Sequence, residues 1–450
     1  MDTSFDLVVI GAGMAGVAAA EKCAREGWKV GIVDSLPYGG TCALRGCDPK
    51  KILRRGAEII DGARLMRGKG IDDADLSINW SDLIEHKHGF TDPVSRNIED
   101  RLTRNDVVTF HGAARFVGRE QLAIDGKAYQ ASHVLIATGA EPRPLDFTGH
   151  EYLIDSTEFM NLPVLPPRIL FLGGGFISFE FAHIAARAGS TPTIIDRGLR
   201  PLKEFDPDLV ELLVTRGTEV GIELRRSTTI RAIERTGKTY QVSVERPEGF
   251  ETIETDLIVH GAGRVPDLSR LGLNAAGVEW GEHGVKVAGH LQSTTNKAVW
   301  AVGDAADTDG MPLTPVAVSE GKVAASNMLK GTTIAPDYAG VPTVVFTIPE
   351  LARVGLLEEE ARAAGFDLNV RFSDTGSWYS NYRIGESAAA VKILIDKSNN
   401  TIIGAHMFGP GYSELINFLG LAIKLGLTTR QLKSVTTAYP TVGSDLGSML

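Results

Sequence analysis

The chain has 450 residues, 43% of them hydrophobic, and a formal net charge of −10 from 46 basic and 56 acidic side chains; this calls for two to four domains of ordinary globular composition. The negative balance, without long like-charge runs, argues against nucleic acid or an anionic membrane as the main partner, and no apolar run is long enough to span a bilayer. The start, MDTSFDLVVIGAG, has no basic n-region or cleavage-type site, and three cysteines do not make a secreted disulfide scaffold, so a cytoplasmic protein is expected, in which a close cysteine pair points to redox or metal chemistry.

The first predicted element is a buried parallel strand, Phe5 to Ile10, a short apolar and β-branched run. It leads into Gly11, Gly13 and Gly16 and then an alanine-rich helix. In that order the glycines permit a tight turn, let backbone approach a pyrophosphate, and let helix pack on strand. The helix N-terminus adds amide donors and partial positive charge for phosphates. A second strand, Val30 to Val33, ends in Asp34, which can accept hydrogen bonds from a ribose diol.

GGTCALRGCDPKK follows, from Gly39 to Lys51, with Cys42 and Cys47 in CxxxxC spacing. A structural zinc site wants four N or S ligands, commonly with CxxC spacing, and neither a third cysteine nor a nearby histidine follows. As a staple, so short a loop would do little for a chain this long. Residues i and i+5 of a regular helix lie roughly 8 Å apart, too far for a disulfide. Gly46 and Pro49 therefore suggest a departure from regular helix that brings the sulfurs together. Lys50 and Lys51 put positive charge beside the pair and favour the reactive thiolate. Next to a nucleotide site, such a dithiol reads as an electron relay.

Further along, Trp80 to Arg101 reads as a polar helix whose His86 and His88 are expected to be solvated. Ser132 to Arg143 is a strand ending at a glycine turn. Ile169 to Ala182 repeats the opening design, with Gly173 and Gly175 and with Ser178 at the third position. A strand from Thr193 to Ile195 then ends in Asp196. Gly11 to Asp34 and Gly173 to Asp196 are each 23 residues apart, which makes coincidence a poor account and two dinucleotide sites the expectation. Asp196 suits an unphosphorylated ribose, whereas Arg197, with Arg200 and Lys203 nearby, suits a 2′-phosphate. Asp256 to Asp267 and Asn296 to Asp307 are further strand-to-glycine elements. Asp304 lies just past the second of these, where it could hold a ligand hydroxyl. Trp378, Tyr379 and Tyr382, near Arg383, could line a surface or dimer contact, with simple packing favoured; His406 is expected to be structural, and Cys23 to be a buried small residue on the first helix.

On these residues the chain resembles the pyridine nucleotide–disulfide oxidoreductases, the family of glutathione reductase, dihydrolipoamide dehydrogenase and mercuric reductase. GGTCALRGCDPKK is similar to the family's GGTCxxxGCxPxK. The two fingerprints, ATG at Ala137 to Gly139, GRVPD from Gly263, and VGD at Val302 to Asp304 agree with it. Val341 to Ala361 is similar to the start of the family's dimerisation domain.

The resemblance implies an α/β fold of two Rossmann-like, doubly wound nucleotide-binding domains plus a C-terminal α+β dimerisation domain. An FAD domain is expected over 1–150 and 265–335, an NAD(P) domain over 151–264 and an interface domain over 336–450. FAD would lie on Gly11, Gly13, Gly16 and Asp34, with Gly40, Thr41, Thr138, Gly139 and Asp304. The nicotinamide nucleotide would lie on Gly173, Gly175, Asp196, Arg197, Lys203 and Gly263, with NADPH favoured and NADH possible. Cys47 would be the flavin-facing sulfur and Cys42 the interchange sulfur. Lys50 would pair with Glu180, and Phe176 would gate the flavin. Hydride would pass from nicotinamide to flavin and electrons on to the disulfide and the acceptor.

The chain departs from the family at its C-terminus. Where disulfide-reducing relatives carry HPTxxE, it reads AYPTVGSD: Tyr439 replaces the histidine, Ser444 occupies the glutamate position and Asp445 follows. A phenol with a pKa of ~10 is a poor base near neutrality. The expected enzyme is thus a homodimer, its site completed by the partner chain, acting on a small-molecule or metal-ion acceptor. A metal ion handled as by mercuric reductase, or a disulfide, leads. The alternatives are a slow redox-sensing regulator and a quinone or oxygen diaphorase.

Overall fold

A computed structural model describes residues 3–450. The chain divides into two compact units, both discontinuous. The first runs to Lys50 and takes in Glu85–Arg143 and Arg264–Tyr338; the second takes in Lys51–Ile84, Pro144–Gly263 and Ala339–Leu450.

In the first unit the opening strand, Ser4–Ile10, lies between Val30–Asp34 and Lys127–Ile136 and is parallel to both. Val108–His111 extends the sheet beyond Val30–Asp34, and Val299–Ala301 pairs with Lys127–Ile136, again in parallel. Parallel strands covered on both faces read as continuous apolar runs rather than alternating ones, as this sequence does. On one face Ala15, Ala19 and Cys23 of the helix Met14–Arg25 pack with Ala324 and Ala325 of the helix Thr314–Lys330. The helices touch so closely that a Cβ on Gly321 would sit 2.4 Å from the Ala15 carbonyl oxygen. Cys23 is buried, and desolvation pushes its thiol up to about 12; it is the inert small residue expected. The opposite face meets an antiparallel meander of Ala114–Phe116, Gln121–Ile124 and the first half of Lys127–Ile136, which the sequence reading did not separate from its surroundings.

The second unit repeats the parallel design: Glu223–Arg225, Thr191–Ile195, Arg168–Leu172 and Leu257–His260, in that spatial order. The helix Phe176–Arg187 covers one face with Phe179, Phe181, Ala182 and Ala185. A three-stranded antiparallel meander, Thr229–Thr236, Thr239–Arg246 and Gly249–Thr255, supplies Ile230, Val242 and Val244 to the other. The C-terminal part of this unit is a five-stranded antiparallel sheet from Thr343 to Gly409, covered by the helix Tyr412–Leu425. Two nucleotide-binding-type sheets and a C-terminal α+β sheet are thus the fold class expected.

The two parallel sheets differ in how they accommodate the third fingerprint position. In the first, Gly16 is required, because a Cβ there would lie 2.0 Å from the Gly11 carbonyl oxygen, and Ala137 faces the turn. In the second, Ser178 stands at that position, and the residue facing the turn is Gly261, whose added Cβ would lie 2.2 Å from Ser178 Oγ. In the second sheet the side chain at the third position thus requires a glycine opposite it. Gly261→Ala is therefore expected to destabilise the protein by about 1–3 kcal/mol through overpacking. In a Ser178→Ala background the same change should cost less than half as much, a coupling that denaturant unfolding of the four proteins measures.

One expectation here needs correction. Tyr379 and Tyr382 do not pack: they are exposed, while Trp378 alone joins the C-terminal core. The polar helix expected over the histidine segment is present as Trp80–Arg104, with His86 exposed and with Trp80 at its start donating from Nε1 to the Leu162 carbonyl at 2.9 Å. His406 is structural as expected. It is buried, with Nε2 on the Leu356 carbonyl, and desolvation holds it down at about 4.

Candidate active site

The break expected between the cysteines is present. The helix Gly40–Arg45 stops at Gly46, whose φ of −148° and ψ of −112° leave helical geometry, and a new helix, Cys47–Leu65, starts at the second cysteine. A Cβ on Gly46 would sit 2.9 Å from the Thr41 carbonyl oxygen, so only glycine makes this corner without displacing the first helix. The corner brings Cys42 and Cys47 into hydrogen-bond contact. That bond, and then burial, holds the Cys42 thiol well above the usual thiol range. At Cys42 this bond and burial work against the thiolate that the neighbouring lysines were expected to favour. Lys51 instead puts its ammonium 3.8 Å from the centroid of the Phe346 ring. Lys50 is buried.

Thr314 was not foreseen. It is the first residue of the helix Thr314–Lys330, and its Oγ1 lies 4.0 Å from Cys47 Sγ. The Thr314–Pro315 pair, opening an apolar helical run, was the available signal. The dithiol is thus flanked by a helix N-terminus, which favours a thiolate.

The first glycine loop fits a dinucleotide. Gly11 adopts φ +106°, and a Cβ there would lie 2.3 Å from the Ala137 carbonyl oxygen. A Cβ on Gly13 would meet only Gly40 Cα, at 3.8 Å, so the loop is open where backbone must approach a ligand. Gly40, at φ +65°, lies so close to Gly13 that its Cβ would come within 2.6 Å of Gly13 Cα. This packs the start of the dithiol helix against the phosphate-type turn. Asp34 steadies the turn by accepting from Ala12 N at 2.8 Å. Thr138 Oγ1 is buried without a hydrogen-bond partner among the described residues, a polar group that a bound ligand would satisfy. Thr41 is exposed, and Gly139 accepts from Asp267 N at 3.0 Å.

Asp304 lies in a short 3-10 turn, and burial raises its carboxyl, partly offset by Arg264. The turn is anchored by buried Glu320, which accepts from Gly303 N at 2.6 Å, Tyr338 Oη at 2.6 Å and Thr308 Oγ1 at 3.1 Å. These residues suit the hydroxyl-rich chain and pyrophosphate of FAD.

The second loop repeats the first. Gly173 has φ +106°, its Cβ would lie 2.4 Å from the Gly261 carbonyl oxygen, and Gly175 is open. The Asp196 carboxylate lies against Gly174 and accepts from Gly198 N at 3.2 Å. Arg197 and Lys203 are exposed. Arg200 is not available to a phosphate, because its guanidinium donates to the Lys203 and Phe205 carbonyls and pairs with Glu359. Phe176 opens the helix, 48% exposed, and Glu180, one turn on, is buried with Oε1 accepting from Phe346 N at 2.7 Å. Gly263 has φ +103° and precedes the strand Arg264–Pro266.

At the C-terminus the two residues proposed for the family's dyad part company. Tyr439 is 83% exposed and has no hydrogen-bond partner among the described residues. Asp445 ends a 3-10 turn capped by Thr441 and Ser444, and its charge acts on buried Tyr412. Tyr412 is itself bonded to Thr375 Oγ1 at 2.7 Å. Tyr439 and Asp445 make no contact with each other within one chain. Among the described residues no cluster of three or more His, Cys, Asp or Glu side chains could hold a metal ion, and no helix is long and apolar enough to cross a membrane.

Comparison with known proteins matches this arrangement. The sequence pattern described as "Pyridine nucleotide-disulphide oxidoreductase" covers residues 5–321, and that of the family's dimerisation domain covers residues 341–449. The chain is 34% identical over 451 residues to a glutathione reductase of Burkholderia cepacia, covering 98% of this chain and 97% of that one. It is 30% identical over 448 residues to a mercuric reductase of Lysinibacillus sphaericus, covering 99% and 82%. It is also 30% identical over 443 residues to a dihydrolipoyl dehydrogenase of Staphylococcus aureus, covering 97% and 94%.

Proposed function

Because this chain belongs to the pyridine nucleotide–disulphide oxidoreductase family, whose members use FAD and NAD(P)H, we propose that it carries electrons through Cys42 and Cys47 to a thiophilic metal ion such as Hg(II). What supports this reading is the contact between Cys42 and Cys47, which with burial raises the Cys42 thiol, together with a C-terminal tyrosine where a histidine base would be. A disulfide must be attacked by a thiolate already formed, and in this chain no histidine stands at the position from which one would take the Cys42 proton. A soft metal ion displaces thiol protons itself on binding, so it needs no such base.

FAD is assigned to the domain over 1–150 and 265–335 and the nicotinamide nucleotide to 151–264, with 336–450 as the interface domain of a homodimer. A bound flavin would take hydride from the nicotinamide and return two electrons to the cysteine pair. Cys47 is assigned as the sulfur nearer the flavin, beside Thr314, and Cys42 as the one that meets the acceptor. Lys50 and Glu180 would supply the charges around this centre, Phe176 would cover it, and Tyr439 and Asp445 would face it from the partner chain. Arg197 and Lys203, both exposed beside Asp196, favour NADPH over NADH. A cytoplasmic, reducing setting suits a dithiol that must be kept reduced.

The test is an acceptor screen by stopped flow on the reduced enzyme, with NADPH and NADH as donors. Fast reoxidation by Hg(II), with slow reoxidation by small disulfides at neutral pH, is the expected result. Fast disulfide turnover at pH 7 would overturn the metal reading, and fast turnover confined to quinones or oxygen would make the protein a diaphorase. Turnover with none of these would leave a nucleotide-binding redox sensor. The same chemistry fixes a pH dependence. With Cys42 raised, its thiolate fraction grows about tenfold per pH unit below its pKa. Residual disulfide reduction should therefore climb continuously from pH 6 to 9, whereas a histidine-assisted enzyme would reach a plateau near neutrality. Steady-state rates across that range distinguish the two.

A further inference from the structure

In the second unit the segment Phe346–Ile348 follows the strand Thr343–Val345. Its polar groups are held by side chains. Phe346 N donates to Glu180 Oε1 at 2.7 Å, and Ile348 N donates to His183 Nδ1 at 3.2 Å. Arg187 Nη2 donates to the Ile348 carbonyl at 3.0 Å. From the other side, Arg54 donates to the Phe346 carbonyl at 2.9 Å and to the Thr347 carbonyl at 2.8 Å.

Glu180, His183 and Arg187 occupy positions i, i+3 and i+7 of the helix Phe176–Arg187 and so share one face. All three are buried, where an unpaired polar group is costly. His183 Nδ1 is also 3.1 Å from Arg187 Nη1. Nδ1 also lies 3.2 Å from the Ile348 carbonyl, but a guanidinium can only donate, so the contact with Arg187 Nη1, together with the Ile348 amide, puts the lone pair on Nδ1 and the ring's proton on Nε2. His183 is thus a fixed neutral acceptor, and desolvation with the neighbouring Arg187, Arg216 and Arg54 charges keeps it so.

We propose that His183 is a positioning residue for Glu180: by fixing the Ile348 amide it sets the backbone of Phe346, whose amide holds the Glu180 carboxylate in one orientation. The assignment rests on the role given to Glu180 in the proposed function. Its consequence is that the geometry of a charge near the nicotinamide–flavin centre is set two residues away along the Phe346–Ile348 backbone, by a histidine that touches neither substrate nor cofactor.

His183→Leu removes the acceptor, while His183→Asn keeps one, because Asn Oδ1 can occupy the place of Nδ1. Residue-level hydrogen exchange on the protein stripped of flavin is expected to show about tenfold faster exchange at both Ile348 and Phe346 in His183→Leu, with both slow again in His183→Asn. If Ile348 opens while Phe346 stays protected, the two amides are independent and the proposal fails. If His183→Leu does not fold, Arg54→Gln loosens the same segment from the opposite helix, and unchanged exchange at Phe346 there would equally overturn it. In the flavin-loaded enzyme, His183→Leu should slow reduction by NADPH about tenfold with little change in KM, but less than twofold when Glu180→Gln is already present. Equal slowing in both backgrounds would mean a purely structural role. If wild type is not reduced by either nicotinamide nucleotide, the proposed function fails, and the exchange arm still decides the positioning role.

Discussion

Replacing Cys42 by Ser is expected to cut turnover with any acceptor reduced through the dithiol by about three orders of magnitude or more, the scale seen when a covalent nucleophile is removed. Reduction of bound flavin by NADPH should persist. Cys42 is the half-buried partner in the cysteine pair, on the short helix Gly40–Arg45, whose first residue packs against the Gly13 turn. Serine preserves that helix and can hydrogen-bond to Cys47, so flavin binding and stability should change little, but an alcohol neither forms a disulfide nor binds a soft metal tightly. Oxygen or quinone reduction that bypasses the dithiol should be spared. Side-by-side rates with Hg(II), a small disulfide and a quinone make the comparison. Equal loss with all three would mean that the substitution had damaged flavin binding rather than the relay.

The largest expected effect on stability lies elsewhere. Asp61 is buried between two guanidinium groups: it accepts from Arg187 Nε at 3.0 Å and Nη2 at 2.7 Å, and from Arg216 Nη2 at 3.2 Å. Arg216 is shared with buried Glu386 at 3.1 Å, so two cations and two anions neutralise one another out of water. Asp61→Asn keeps the shape but leaves Arg187 without an anion and Arg216 with Glu386 and the exposed Glu219. Breaking one partner of such a buried set costs about 3–5 kcal/mol. Replacing Arg187 by Met in the same chain should recover a substantial part of this, because the uncompensated cation is then gone and a flexible apolar side chain fills the space. Denaturant unfolding of the single and double variants measures it. A single variant within about 1 kcal/mol of wild type would show that water reaches the cluster.

Much of this was legible in the sequence because each feature has a local cause. The glycine fingerprints announce themselves through turns that only glycine makes, and both loops took up the geometry read from Gly11–Gly13 and Gly173–Gly175. Gly46 announced the corner that joins Cys42 to Cys47. What was not legible depends on long-range packing. Thr314 lies 267 residues from Cys47 and meets it only through the fold. The fit of Ser178 against Gly261 needs two strands and a helix to be in place. The ion cluster of Asp61, Arg187, Arg216 and Glu386 looks along the chain like four ordinary surface charges. The same holds at Cys42, where charge beside a cysteine in sequence competes with the bond that the other cysteine supplies. Tyr379 and Tyr382 misled because aromatic residues usually pack, and here they face solvent.

The central claim is that Cys42 and Cys47 form a two-electron relay beside the flavin, and anaerobic reductive titration of the purified protein tests it most directly. The account predicts uptake of two electrons by the flavin and two by the disulfide. At the midpoint a long-wavelength thiolate–flavin band should appear, to be abolished by Cys47→Ser and retained in Cys42→Ser. Uptake of the flavin's two electrons alone, or a band that survives Cys47→Ser, would contradict it.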